Sequence, residues 1–363
     1  MLLVSGDSYS LGPDHPDHVN ALDKQWPALV AEEMAIRQVV SRSYPGHQAA
    51  DQACHVQFEP HNPGDIAAIL IGANDARLYK DDPAKLEYFK AFVMRMIGDY
   101  CIPTRARGRS SAISRVGDWQ GTPVNPHGIM TTSAGASART KVFGSAIYIG
   151  YIIQDYPTSA SSADVVIDGI HVGSLSCDGN RGSKTGAGQA FAPALARFAT
   201  SPGSHEVEVR VTTDGNVFYL DDIRSNEGPY GPDLYVGTLP PWSAAGYESF
   251  GATPAILDSY NRAISDIVST MSADGIPVRL VDLHSSFQPA IHMSSDGFHP
   301  NLAGHQEIKS AFLTALRTAR RKIEYHTLWG TKLSLWLENG VVQTMEETPL
   351  GGNPNDVGSL RVG

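Results

Sequence analysis

The chain begins with the stretch MLLVSGDSYS, residues 1–10, in which a short apolar run leads directly into glycine, an acid and a serine. The run from Met1 to Val4 is typical of a buried strand. Ser8 would then lie at the carboxyl end of that strand, where open α/β sheets place their ligands. The stretch is not a G-x-S-x-G nucleophile elbow, because Ser10 stands at the position of the second glycine. A reactive serine here would need a base and hydrogen-bond donors from other strand ends.

Two further segments supply polar residues of that kind. Residues 67–76, AAILIGANDA, predict a buried strand that leads into Asn74, although Asn-Asp after a strand also caps helices. In SSDGFHPNLAGH, residues 294–305, Asp296 precedes His299 by three positions. One tight turn would present both side chains, with the carboxylate orienting the imidazole toward the serine. A turn with a capping aspartate is the alternative interpretation of this pair.

Taken together and in this order, the segments indicate a protein family more specifically than any one of them does alone. GDSYS, a glycine at position 46 in SYPGHQAAD, GAND and DGFHP resemble the four sequence blocks of the SGNH (GDSL) hydrolases. The resemblance covers about residues 1–104 and 245–320. It implies a flavodoxin-like, three-layer α/β fold and the activity of a carboxylic ester hydrolase.

The resemblance also implies a role for each matching residue. Ser8 would be the nucleophile, His299 the general base and Asp296 its orienting partner. The backbone N–H groups of Ser8 and Gly46 and the side chain of Asn74 would form the oxyanion hole. Preorganised donors of this kind typically contribute about 3 to 4 kcal/mol each to transition-state stabilisation.

The middle of the chain differs in pattern from its flanks. Residues 1–104 and 245–325 alternate short apolar runs with helical stretches, which is typical of an α/β domain with a parallel sheet. Residues 105–244 are rich in glycine, serine and threonine and carry a period of two. We therefore predict that an antiparallel, jelly-roll-like β-sandwich interrupts the α/β domain. This insert would bind carbohydrate or, alternatively, only stabilise or oligomerise the protein. Residues 326–363 would form a C-terminal hairpin and linker, with the hairpin turn at Asn-Gly.

Three signals support the predicted β insert. Val207, Val209 and Val211 alternate with polar residues, as in a half-buried antiparallel strand. Asp168-Gly169 and Asp214-Gly215 each separate two apolar runs and are typical of hairpin turns.

Composition and charge argue against some classes of binding partner. The 363 residues are 42% hydrophobic and 18% charged, as in a globular protein, and the net charge of -10 argues against a nucleic-acid partner. No apolar stretch approaches the roughly 20 residues needed to span a membrane. No basic segment with an apolar signal core precedes the first strand, so we expect either no cleaved signal or a chain cut from a longer parent.

No cofactor is predicted. The cluster Asp14, His15, Asp17 and His18 lies in a proline-rich loop without HExxH-like spacing. We interpret it as a substrate-facing or solvated loop and expect no metal.

Three function hypotheses remain. The first is a serine esterase that removes O-acetyl groups from a bacterial surface polysaccharide, because the layout resembles SGNH enzymes with an accessory jelly roll. Trp119, Trp242 and Tyr230 would offer flat stacking surfaces to such a glycan, or belong to the core of the β domain. The second is a lipase- or thioesterase-like SGNH hydrolase for small acyl substrates. The third is a non-catalytic glycan-binding tail module.

The end of the chain adds an expectation about location. GGNPNDVGSLRVG, residues 351–363, resembles linkers in bacteriophage tail proteins. We therefore expect an extracellular or virion-associated protein that forms a homo-oligomer or part of a larger tail assembly.

Overall fold

A computed structural model describes residues 1–12, 21–154, 161–178, 190–228 and 230–318, and the backbone of four later strands. The strands are β1 (Leu2–Gly6), β2 (Val39–Ser41), β3 (Ile66–Leu70), β4 (Thr104–Arg107), β5 (Ser114–Val116), β6 (Gln120–Gly121), β7 (Ile129–Thr131), β8 (Ser137–Gln154), β9 (Ser162–Ile167), β10 (Ile170–Ser176), β11 (Phe191–Val211), β12 (Phe218–Ser225), β13 (Asp233–Gly237), β14 (Val278–Val281), β15 (Arg321–His326), β16 (Thr331–Glu338), β17 (Val341–Pro349) and β18 (Gly358–Leu360). The helices are α1 (Trp26–Glu33), α2 (Ala49–Val56), α3 (Ala73–Tyr79), α4 (Pro83–Cys101), α5 (Ala244–Phe250), α6 (Pro254–Ala273), α7 (Pro289–His292) and α8 (Leu302–Thr318).

A parallel sheet forms the first layer of the molecule. Its five strands lie in the order β14-β13-β3-β1-β2. Every residue of β1 and β3 is buried, as expected of central parallel strands covered on both faces. Gly6 pairs with Leu70, so the carboxyl ends of β1 and β3 lie side by side. This register brings Ser8 and Asn74, which follow those strands, to the same edge of the sheet.

An antiparallel sheet forms the second unit. Seven of its strands follow the order β10-β9-β11-β8-β12-β7-β6, while β4 pairs with β12 and β5 with β8. Val207, Val209 and Val211 of β11 are buried, as their alternation predicted. Asp168 and Gly169 join β9 to β10 with φ of 52° and 80°, the left-handed backbone of a type I′ hairpin turn. The fold is therefore mixed, with one parallel and one antiparallel sheet.

The limits predicted for the insert need correction. Strand β13 lies inside the predicted insert 105–244, yet it pairs with β3 and β14 in the parallel sheet. Its apolar core is only Leu234, Tyr235 and Val236 between glycine- and proline-rich segments, and so short a run has no readable period. Thr104, assigned to the first α/β segment, begins β4 of the antiparallel sheet.

Asp214-Gly215 does not form the predicted hairpin turn. Strands β11 and β12 flank β8 and do not pair with each other. Both edges of β11 are already occupied, one by β8 and the other by β9, so β12 has to join the sheet on the far side of β8.

Buried ion pairs connect the two sheets. On α4, Arg95 contacts Asp99 at 2.8 Å and reaches across to Asp221 of β12 at 2.6 Å. On β12, Arg224 contacts Asp222 at 2.7 Å and returns to Asp99 at 2.5 Å. All five side chains are almost fully buried. The helix packed on the parallel sheet is thereby fixed against a strand of the antiparallel sheet.

The four later strands form a separate antiparallel sheet in the order β15-β16-β17-β18. β16 and β17 pair on either side of Asn339-Gly340, which lies outside the described residues. β18 falls where a linker was predicted, and β15 pairs with β16 although most of it was assigned to the α/β domain. Among the helices that the structure describes, none is long and apolar enough to cross a membrane.

Candidate active site

Ser8 lies on a tight turn directly after β1. The N–H groups of Ser10 and Leu11 donate to the carbonyl of Asp7, both at 3.1 Å, and form a single helical turn. The N–H of Tyr9 donates to the Asp7 carboxyl group at 2.9 Å. The hydroxyl of Ser8 is thus held at the carboxyl edge of the parallel sheet by its own neighbours.

Asp296 and His299 come from one turn before α8, as their spacing predicted. The carboxyl Oδ1 of Asp296 accepts the N–H groups of Phe298 at 2.9 Å and His299 at 3.0 Å. Gly297 has a φ of 70°, and a Cβ there would lie 2.0 Å from Oγ of Ser243. Glycine is therefore required by both the backbone conformation and the space at this position.

Aromatic packing fixes the position of this turn. Phe298 is buried and packs against Tyr9 at 5.4 Å, Trp242 at 4.8 Å and Phe250 at 4.9 Å between ring centroids. Its ring also meets the imidazole of His299 edge-on, at 4.8 Å and 86°. Sequence reasoning missed this support, although an aromatic residue between the glycine and the histidine of DGFHP was the available signal.

Ser8, His299 and Asp296 form a continuous chain of contacts. Nε2 of His299 lies 2.9 Å from Oγ of Ser8, and Nδ1 lies 2.5 Å from Oδ2 of Asp296. Partial burial opposes ionisation of Asp296, but hydrogen bonds from His299 and from the Phe298 backbone outweigh it and hold the pKa of Asp296 well below its usual range. Because a carboxylate can only accept, Nδ1 of His299 carries the proton and Nε2 accepts from the serine hydroxyl.

Asn74 and Gly46 lie in two segments that contact each other. Asn74 is buried in the first turn of α3, and its side-chain amide donates to the carbonyl of His47 at 3.0 Å. Gly46 precedes His47 in a turn and has a φ of 82°, which favours glycine. The same turn is tied to β1, since the N–H of Tyr44 donates to the carbonyl of Gly6 at 3.2 Å. Both segments therefore border the strand end that carries Ser8.

Two buried carboxyl groups lie at this edge of the sheet. Burial raises the pKa of Asp7 to about 7, against the opposing effect of the Tyr9 N–H and the charge of Arg77. Burial likewise raises the pKa of Asp75 to about 8, although the N–H of Ala49 donates to its carboxyl group at 3.0 Å. At neutral pH, Asp75 is therefore mostly protonated, while Asp7 is divided between its protonated and ionised forms.

The remaining predicted residues have other positions. Trp242 is buried against Phe298, so it belongs to the core. Nε1 of Trp119 donates to the carbonyls of Val116 and Ser137 inside the antiparallel unit. The cluster Asp14, His15, Asp17 and His18 lies outside the described residues. Within the described ranges, no group of three or more His, Cys, Asp or Glu side chains is arranged to hold a metal.

Comparisons with known proteins give distant structural similarities. No family model matches the chain, and no curated protein matches it. A lipolytic G-D-S-L family protein from Veillonella parvula is similar at 9% identity and a TM-score of 0.39, over 86% of this chain and 96% of its own. A family 3 carbohydrate esterase from Clostridium thermocellum is similar at 11% identity and a TM-score of 0.38, over 86% of this chain and 92% of its own.

A two-domain esterase active on acetylated mannans is similar at 12% identity and a TM-score of 0.35, over 63% of this chain and 91% of its own. At such identities and TM-scores, the function has to be argued from the residues of this chain.

Proposed function

We propose that this chain is a serine esterase of the SGNH type that removes O-acetyl groups from a polysaccharide. The observation that carries the proposal is the unbroken contact from Asp296 through His299 to Oγ of Ser8 at the carboxyl edge of the parallel sheet. Nucleophile, base and orienting acid stand in the order that acyl transfer requires.

The reaction follows from these contacts. Oγ of Ser8 attacks the acyl carbonyl carbon while Nε2 of His299 takes the hydroxyl proton, and Asp296 stabilises the imidazolium that forms. The developing oxyanion accepts hydrogen bonds from the backbone N–H groups of Ser8 and Gly46 and from the Asn74 amide. His299 then gives its proton to the leaving sugar oxygen, which leaves an acetyl ester on Ser8.

Water completes the cycle. His299 removes a proton from a water molecule that attacks the acetyl-enzyme, and then returns this proton to Oγ of Ser8 as the second tetrahedral intermediate collapses. The products are acetic acid and the free sugar hydroxyl, and no bond of the polysaccharide backbone breaks.

The position of the antiparallel unit favours the proposal of a polymeric substrate. It packs against the catalytic layer through α4 and the buried ion pairs, so it holds a fixed position beside that layer. We interpret it as a curled, jelly-roll-like sandwich that helps to present a glycan. A bacterial surface polysaccharide as the substrate, an extracellular or virion-associated location, and assembly into an oligomer or phage tail stay predictions.

The decisive experiment is Ser8→Ala, tested for acetate release from acetylated xylan, acetylated glucomannan and O-acetylated alginate, and for turnover of p-nitrophenyl acetate. We expect activity to vanish with an unchanged melting temperature. Ser10→Ala is the matched control, because Ser10 lies on the same turn and its buried hydroxyl has no hydrogen-bond partner among the described residues. Full activity of Ser8→Ala would remove the serine from its proposed role.

The same panel tests the substrate class. An acetyl esterase should hydrolyse p-nitrophenyl acetate much faster than the octanoate and should release acetate from a polymer without shortening it. Faster turnover of the octanoate, with no acetate released from any polymer, would favour the small-acyl hydrolase instead.

A further inference from the structure

Three partly exposed aromatic side chains pack against one another on segments that border the candidate active site. Tyr44 packs against His47 at 4.8 Å and against His55 at 5.2 Å between ring centroids, and the two imidazoles stack at 5.4 Å and 13°. Tyr44 is 38% exposed, and both histidines are partly exposed. We call these three side chains the aromatic platform.

The backbone of the platform is attached to the segments proposed to form the oxyanion hole. Tyr44 donates its N–H to the carbonyl of Gly6, two residues before Ser8. His47 directly follows Gly46, and its carbonyl accepts the Asn74 amide. A ligand on the platform therefore lies next to the edge of the sheet at which Ser8 would attack.

The platform also borders the antiparallel unit. His55 lies on α2, and the preceding Cys54 donates its thiol to the carbonyl of Phe191 at 3.4 Å. Phe191 is the first residue of β11. Helix α2, which carries His55 of the platform, thus contacts the sheet proposed to help present the substrate.

Buried contacts hold the platform in place. The side chain of Gln52 is fully buried and its Nε2 lies 3.1 Å from Nδ1 of His47. Burial, together with the neighbouring His55, lowers the pKa of His47, so this imidazole is neutral at pH 7. A preorganised ring surface of this kind loses little side-chain entropy when a ligand covers it.

We propose that the aromatic platform binds an uncharged sugar ring of the polysaccharide, adjacent to the sugar whose acetyl group reaches Ser8. The negative face of an aromatic ring attracts weakly positive C–H groups, and the C–H face of a pyranose presents several of them. The imidazole edges offer hydrogen bonds to hydroxyl groups at the rim of the same surface. The proposal rests on the esterase function proposed for Ser8.

Tyr44→Ala tests the platform, with acetylated glucomannan as the polymer and p-nitrophenyl acetate as the small substrate. We expect kcat/KM for the polymer to fall by about tenfold or more, mainly through KM, which is the size of effect that truncating an aromatic stacking partner has on the binding of a stacked nucleobase. Turnover of p-nitrophenyl acetate should stay near the wild-type rate, since this substrate has no sugar ring.

Two variants serve as controls. Tyr44→Phe keeps the ring and should restore most of the polymer activity. Leu280→Ala removes a comparably exposed apolar side chain, 36% exposed on the edge strand β14 of the parallel sheet, and should leave both activities unchanged.

The outcomes separate this proposal from the proposed function. If Tyr44→Ala slows both substrates equally, the residue only supports the turn, and the proposal is wrong. If the polymer is deacetylated equally well by both proteins, the platform proposal fails while the esterase function stands. If the wild-type protein releases no acetate from the polymer, binding can be tested by the retardation of each protein during electrophoresis in a gel that contains glucomannan. Equal mobility of the wild-type and Tyr44→Ala proteins would then overturn the proposal that the platform binds a sugar ring.

Discussion

Replacing Asp296 by asparagine separates the chemistry of the candidate site from its architecture. The amide oxygen can still accept the N–H groups of Phe298 and His299, which lie 2.9 and 3.0 Å from Oδ1 of Asp296. The turn should therefore survive and the melting temperature should change little. The substitution replaces the other carboxyl oxygen, Oδ2, with an amide nitrogen. An acceptor that lies 2.5 Å from Nδ1 of His299 thereby becomes a donor.

A donor at that position selects the wrong imidazole tautomer. Nδ1 of His299 must then be unprotonated and Nε2 must carry the proton. Because Nε2 is the nitrogen that lies 2.9 Å from Oγ of Ser8, the imidazole can no longer accept the serine proton. The same exchange in a serine protease lowers kcat about 10⁴-fold. Asp296 is 30% exposed, so water competes for Nδ1, and we expect a loss of about 10³- to 10⁴-fold in kcat.

Initial rates with p-nitrophenyl acetate at several concentrations would measure kcat and KM separately. Asp282→Asn is the matched control, because the Asp282 carboxyl group also accepts the N–H of the residue three positions on, Ser285, at 3.1 Å, and lies just after β14. It should keep the wild-type rate. An Asp296→Asn enzyme that retains about a tenth or more of wild-type kcat would refute the proposed orientation of His299.

Two further predictions concern stability. Arg95→Met leaves Asp99, Asp221 and Asp222 with less compensating charge in the interior and should lower the free energy of unfolding by about 3 to 5 kcal/mol. Arg317→Met, which removes an exposed ion pair with Glu33, should cost about 1 kcal/mol or less in the same denaturant titration; equal losses would contradict the assigned role of the buried cluster. Asp75→Asn should flatten the dependence of stability on pH. The native state keeps the Asp75 proton up to about pH 8, whereas the unfolded chain releases it near the ordinary value of 3.8, so wild-type stability falls as the pH rises between these values. Urea unfolding at pH 5 and pH 9 should show a smaller difference for Asp75→Asn than for wild type, and identical differences would contradict the assigned cause.

The sequence predicted those parts of the site that depend on local order. The apolar runs before Ser8 and Asn74 marked two strands, and neighbouring parallel strands end at the same edge of a sheet. The spacing of Asp296 and His299 described one turn. These features need only a strand, a turn and the direction of the chain.

Features that depend on tertiary contacts could not be predicted in this way. Arg95 and Asp99 have the spacing of an exposed helical ion pair, and only their contacts with a distant strand make them a buried cluster. The aromatic platform combines two residues of a turn with one of a helix, and its existence depends on how these two elements meet.

The position of β13 in the parallel sheet affects the order in which the molecule can fold. β13 pairs with β3, although the whole antiparallel unit lies between them along the chain. The two ends of the inserted antiparallel unit lie next to each other, because the N–H of Gly231 donates to the carbonyl of Cys101 at 3.0 Å.

During synthesis, β1 and β3 emerge long before the strand that completes their sheet, and His299 emerges last of the proposed catalytic residues. Contacts so distant along the chain slow folding. Their entropic cost rises only slowly with the length of the loop, by about 0.6 kcal/mol for each doubling. The length of the inserted unit therefore adds little to the entropic cost of closing the parallel sheet, and the buried contacts of α4 with β12 make the larger contribution to how the unit affects stability.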